Sequence, residues 1–146
     1  MNRFMLMALF MSLLSLNAAK VLAAQNIDTH VAVNDCIKKY KDQNIECLDD
    51  AINRSEDDLN KVYNQKLNEL KQAPTEKIWM GNEQQKDSAV HTFIDNQKKW
   101  LTYRNSFCTT ALWTLQNSSH LGEAQTSCEL IMNKRREDEL NMILSP

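Results

Sequence analysis

The sequence predicts an all-α fold, a small bundle of about four helices stapled by two disulfides. Only two Gly and two Pro occur in 146 residues, which argues against sandwiches, barrels and other folds with many tight turns. Apolar residues recur at three- and four-residue steps over long stretches, the period of amphipathic helices. The four cysteines are an even number, as expected of a small domain fastened by disulfides.

Residues 1–23 are predicted to be a secretory signal peptide that lies outside the fold. An arginine supplies a positive start, residues 4–16 form an almost unbroken apolar run, and Val21 and Ala23 suit the positions before a cleavage site. The apolar run is shorter than the roughly 20 residues that cross a bilayer, so no membrane anchor is expected after cleavage. We therefore expect a periplasmic or secreted protein with a single helical domain over residues 24–146.

The first predicted helix runs from about Asp28 to Tyr40, where valines, a cysteine and an isoleucine form a partial apolar stripe. The second runs from Ile45 to about Gln72. Asn44 is expected to cap its start, and the residue before Pro74 ends it, because that residue avoids the helical region. The apolar stripe of this helix is interrupted at Ser55–Asp58. Either the helix bends there, or that turn faces solvent or a polar partner.

The third predicted helix runs from about Glu83 to Phe107 and has a broad apolar face. The fourth runs from about Gly122 to Ile143, with its last residue on the inner face. In the connection before the third helix, Ile78–Met80 form a short apolar cluster. The favoured interpretation is that this cluster covers the end of the core, and the alternative is that it forms an exposed contact patch. Trp113 and Leu115 are expected to pack back on the core.

The cysteines Cys36, Cys47, Cys108 and Cys128 all lie in the expected exported part. In an exported small domain they indicate two disulfides. The spacing favours Cys36–Cys47 and Cys108–Cys128, each closing a short local loop, while the crossed arrangement stays open if the helices it joins are antiparallel neighbours. A metal site is not expected, because no CxxC occurs and the three histidines have no ligand spacing to any cysteine.

Several classes of function lack support in the sequence. The formal net charge of −2 gives no reason to expect nucleic acid, and no glycine-rich phosphate loop occurs. Catalysis needs a nucleophile with a base, or carboxylates in tuned environments, and no such set is apparent. The sequence therefore predicts a protein that is not an enzyme and has no cofactor.

Three strings carry more specific information: LNKVY at residues 59–63, QKKWLTYRNSFC at residues 97–108, and Cys128 followed by Arg136 and a leucine. With the early cysteine pair, they resemble the bacterial LprI N-terminal domain family, which is named after a lysozyme inhibitor. The residues that match the pattern of that family, besides the cysteines, are Leu59, Asn60, Tyr63, Gln97, Trp100, Tyr103, Arg104 and Arg136. Asn105 stands where the family usually has Asp.

The long motif also has a physical interpretation. Gln97, Trp100 and Arg104 lie on one face of a helix, and the last two form an i,i+4 pair in which the guanidinium can lie over the indole. The favoured interpretation is that Trp100 anchors the core while Arg104 binds a neighbouring helix. The alternative is a partly exposed patch of Trp100, Tyr103 and Arg104, residue types that dominate protein interfaces. Arg136 carries the same two interpretations.

The resemblance implies an exported, non-enzymatic binding protein, with lysozyme inhibition as the first hypothesis. Removal of residues 1–23 takes away Arg3 and Lys20, so 17 basic residues become 15 against 19 acidic ones, a net charge of −4. A negative surface would steer the protein toward a basic lysozyme. The alternative is a structural or regulatory envelope protein that binds a different protein partner and leaves lysozyme unaffected.

Overall fold

The computed structural model describes residues 26–75 and 81–143, so the predicted signal peptide and the Ile78–Met80 cluster lie outside the described residues. Within those ranges the chain forms four α-helices and no strand. The helices are α1 (Val31–Tyr40), α2 (Ile45–Gln72), α3 (Glu83–Ala111) and α4 (Leu121–Asn141). The prediction of an all-α bundle with two disulfides is confirmed.

Local signals explain where most helices begin and end. His30 caps α1, because its Nδ1 accepts a 3.2 Å hydrogen bond from the backbone N–H of Ala32. α2 has the predicted bounds and ends just before Ala73 and Pro74. A capping box of Asn82 and Gln85 starts α3, which continues to Ala111, beyond the predicted end.

Asn44 precedes α2, as predicted, but its side chain does not cap the helix. Its Nδ2 instead donates a 2.7 Å hydrogen bond to Oε1 of Glu123, in the first turn of α4. Only 5% of Asn44 is exposed, so this bond joins the starts of α2 and α4 in the interior. The expected capping role is therefore wrong, because a long-range partner takes the side chain that local sequence assigned to the helix end.

α2 and α4 run parallel, and α3 runs antiparallel to both. Three hydrogen bonds join α2 and the α4 region at successive heights: Asn44 to Glu123, Ser55 to Asn133, and Lys66 to the carbonyl of Ile143. Along α3 the order reverses, since Tyr63 stacks on Phe93 whereas the earlier Glu56 pairs with the later Arg104. The three long helices thus form one layered bundle, and α1 packs on α2 and α4.

The interior divides into two hydrophobic clusters. The larger cluster lies between α2, α3 and α4 and includes Leu59, Trp100, Met132, Leu140 and the fully buried Cys108–Cys128 disulfide. The smaller cluster lies under α1, where Val33 and Cys36 contact Leu48, Ala51 and Leu130. The Cys36–Cys47 disulfide fastens α1 to α2 at this second cluster.

Two apolar side chains lie elsewhere than predicted. Trp113 is 75% exposed in the 3₁₀ turn (Trp113–Leu115) that follows α3, whereas Leu115 of the same turn packs against the larger cluster as predicted. Ile143 is 36% exposed, because α4 ends before it. None of the helices in residues 26–75 and 81–143 is long and apolar enough to span a membrane.

Candidate functional site

The polar interruption of the α2 stripe meets a buried arginine of α3. Arg104 is 7% exposed, and its Nη1 donates to Oε1 of Glu56 at 3.2 Å and to Oδ1 of Asn133 at 2.7 Å. Its Nε donates to Oδ1 of Asn105 at 3.1 Å, so the amide oxygen at that position still orients the guanidinium. Among the options for Ser55–Asp58, the structure shows a polar partner, since Ser55 and Glu56 both join this network.

A second arginine lies near the same tryptophan. Nε of Arg136 donates a 2.9 Å hydrogen bond to Oε1 of Gln97, and its Nη1 binds Glu139 at 2.8 Å. The central guanidinium carbons of Arg104 and Arg136 lie 5.9 Å and 5.6 Å from the centre of the Trp100 ring, within the range of cation–π attraction. Trp100 is thus a core anchor held between polar groups of α3 and α4.

The remaining motif residues separate into buried and exposed members. Leu59 is 2% exposed, and Tyr63 stacks on Phe93 with ring centres 5.2 Å apart and planes 4° apart. Burial raises the pKa of Tyr63, because the phenolate would lose solvation there. Asn60 and Tyr103 face solvent, the latter 52% exposed. The structure therefore places Trp100 and Arg104 in the core, as the favoured interpretation has it, and of the alternative patch of Trp100, Tyr103 and Arg104 only Tyr103 is at the surface.

Open grooves flank α3 on both sides. The α2–α3 groove is lined by Glu56, Leu59, Asn60, Leu101, Arg104 and Asn105. The α3–α4 groove is lined by Phe93, Asn96, Lys99, Trp100, Tyr103, Arg136 and Ile143. The motif residues thus reach the surface at two places, one bordered by the carboxylate of Glu56 and the other by the cations of Lys99 and Arg136.

The cysteines and the metal-ligating residue types form no reactive centre within the described residues. All four cysteines are in disulfides, Cys36 with Cys47 and Cys108 with Cys128, so they supply no thiolate. In the described part of the chain no group of three or more His, Cys, Asp or Glu side chains could hold a metal ion. The carboxylate of Glu56 is already paired with the guanidinium of Arg104.

Asn133 is the central residue that sequence reasoning missed. It has no exposed surface, and it bonds Arg104 through Oδ1 and Ser55 through Nδ2. The available signal was a polar residue directly after the apolar run of residues 130–132, all three of which are buried. A buried amide with two different partners indicates that α4 is packed on more than one side.

Comparison with known proteins gives one result that agrees with this site. A family model described as lysozyme inhibitor LprI matches residues 23–140. No curated protein and no solved structure matches the chain at a significant level. The matched range contains both disulfides, the Arg104 network, the α2–α3 groove and all of the α3–α4 groove except Ile143. Since the match covers most of the sequence, the chain belongs to the lysozyme inhibitor LprI family.

Proposed function

We propose that this protein is an exported inhibitor of lysozyme that acts by binding the enzyme and performs no reaction of its own. The observation that carries the proposal is the family match over residues 23–140, which spans the whole bundle. The fold supports it, because two disulfides and a buried polar network hold the surface of α3 in a fixed geometry. Preformed surfaces bind with less loss of conformational entropy than flexible ones.

The proposal includes the compartment and the extent of the domain. Residues 1–23 act as a signal peptide, and residues 24–146 form the exported helical domain. Two disulfides in so small a domain support an oxidising compartment, the periplasm or the exterior. The site calls for no cofactor, and lysozyme or another envelope protein is the partner.

The decisive experiment measures lysis of a bacterial cell-wall suspension by lysozyme. The full chain is expressed with its own N-terminus, the processed product is purified with its disulfides intact, and N-terminal sequencing locates the cleavage. We expect micromolar protein at low salt to slow the loss of turbidity. A reduced and alkylated sample serves as control and is expected to lose the effect. No slowing by a sample whose circular dichroism is helical contradicts the proposal, and capture of a different envelope protein then favours the alternative function.

A further inference from the structure

The negative charge of this protein is concentrated on one short part of α2. Residues 45–60 contain six acidic residues and one basic residue, Arg54, a net charge of −5. Without residues 1–23 the net charge is −4, so the other residues of the exported domain together carry +1. The first half of α2 is therefore the part of the molecule that would attract a cationic protein.

The acidic segment continues into the groove beside α3. Asp49, Asn53, Glu56 and Asn60 are spaced four, three and four residues apart, so they share one helix face. Glu56 and Asn60 line the α2–α3 groove. Asp49 and Asp57 are exposed, and neither has an ion pair or hydrogen bond within the described residues. These two carboxylates are available to a partner.

The groove itself offers an apolar contact and a hydrogen-bond donor. Leu101 is 39% exposed at its edge, above the buried Leu59. The side chain of Arg104 is only 8% exposed and also lines the groove. Its Nε and Nη1 are bonded, but its Nη2 has no acceptor among the described residues. A donor in this position suits a carbonyl oxygen of a segment that enters the groove.

We infer that the α2–α3 groove and the adjoining acidic face of α2 form the surface that docks a cationic protein, and that this protein is lysozyme. The identity of the partner rests on the proposed function. The acidic face steers the encounter, Leu101 gives an apolar contact, and Nη2 of Arg104 donates to a backbone carbonyl of the partner. The groove on the other side of α3 is bordered by Lys99 and Arg136, which disfavour the same partner there.

The test compares charge reversals at two exposed aspartates. Asp57 adjoins the acidic face, four residues after Asn53 and three before Asn60, so Asp57→Lys reverses a charge of that surface. Asp87→Lys makes the same change in net charge near the start of α3. Asp87 precedes Leu101 by 14 residues, or about 21 Å along the helix. We expect Asp57→Lys, and separately Leu101→Arg, to raise the Kd for lysozyme about tenfold or more, and Asp87→Lys to change it less than about twofold. Circular dichroism and thermal midpoints establish that each variant is folded.

Each other outcome overturns the inference in a distinguishable way. Equal weakening by Asp57→Lys and Asp87→Lys shows that net charge alone steers binding. Unchanged binding by Asp57→Lys and Leu101→Arg, with the parent protein still binding, shows that lysozyme docks elsewhere while the proposed function stands. Loss of binding on Trp113→Ala with no effect of Leu101→Arg places the contact at the exposed turn after α3. A parent protein that does not bind lysozyme removes the proposed function and the occupant of this surface with it.

Discussion

Nη1 of Arg104 donates a 2.7 Å hydrogen bond to Oδ1 of Asn133 and thereby joins α3 to α4 inside the bundle. Asn133 also links α4 to α2, because its Nδ2 donates a hydrogen bond to Oγ of Ser55. Three helices thus meet at one amide that has no exposed surface. Apolar contacts tolerate small shifts of one helix along another, whereas these hydrogen bonds do not, so the network fixes the relative heights of the helices.

We expect Arg104→Lys to destabilise the fold by about 2 kcal/mol, because leaving a buried acceptor unpaired costs about 1–3 kcal/mol. A lysine has no planar fork and cannot serve Glu56, Asn105 and Asn133 at once. Urea denaturation measures the loss as a lower midpoint at an unchanged slope. Lys98→Gln removes a cation from the exposed side of the same helix and should change stability by less than about 0.5 kcal/mol. Equal stability of Arg104→Lys and the parent protein contradicts the role given to the network.

Asn44→Asp distinguishes a helix cap from an interhelical link. Asp caps helices as well as Asn does, so a capping role predicts little change in stability. The structure predicts a loss of about 1–2 kcal/mol, because a carboxylate would replace the donor that faces Glu123 and would leave two acids opposed. Thermal or urea denaturation at pH 7 measures the loss. Asn44→Asp at low pH, where the acids are protonated, should recover part of it.

His30 makes the stability of α1 depend on pH. Burial lowers the pKa of His30, so the folded state favours the neutral ring whose Nδ1 accepts the capping hydrogen bond. In the unfolded chain the ring titrates near about 6.5. The stabilisation is therefore complete above about pH 6.5 and is lost as the pH falls from there to the lower folded-state pKa.

The comparison variant is His30→Asn, which caps the helix and does not titrate in this range. We expect the parent protein to lose stability relative to His30→Asn as the pH falls from 7 to 5, because the protonated ring can no longer accept the capping hydrogen bond. Urea denaturation of both proteins across this range measures the difference, and the other two histidines cancel in it. Parallel pH profiles for the two proteins would argue against a capping role for the imidazole.

The two disulfides should differ in their accessibility to reductant. Cys36 and Cys47 line an open groove between α1 and α2, whereas Cys108 and Cys128 have no exposed surface. Mild reduction of the folded protein should expose the thiols of Cys36 and Cys47 first, as shown by alkylation and mass spectrometry over time. In denaturant, where burial no longer matters, the two pairs should react at similar rates. Earlier labelling of Cys108 and Cys128 in the folded protein is the contrary result.

Local signals in the sequence predicted the secondary structure well and the tertiary contacts poorly. The end of α2 follows from Pro74, a local signal, whereas Asn44 marks the start by position without capping the helix. Trp113 was wrongly placed on the core, because residue type alone does not show which side chains of the turn after α3 face the interior. α4 was predicted to have one inner face, but it packs against three other helices and buries four successive residues, 130–133.

The sequence predicted which residues form the candidate site better than it predicted their arrangement in space. The spacing of Trp100 and Arg104 on one helix face was sufficient to favour a core anchor with a tethered arginine. The acceptors of that arginine, Glu56 and Asn133, lie 48 and 29 residues away, and helical periodicity carries no information about such partners. The α2–α3 groove likewise combines segments that are distant in sequence, so it could only be found from the fold.

The parallel pairing of α2 with α4 has a consequence for the order of events in folding. The three hydrogen bonds between α2 and the α4 region join residues that are 77 to 79 positions apart in the sequence. This separation is large for contacts in a helical protein. A long loop must close before such contacts form, which slows folding relative to simple helical hairpins. During synthesis, a chain that has emerged from the ribosome only as far as α3 still lacks Asn133, whose side-chain amide bonds both Ser55 and Arg104. The last helix is thus the step that commits the chain to its native topology.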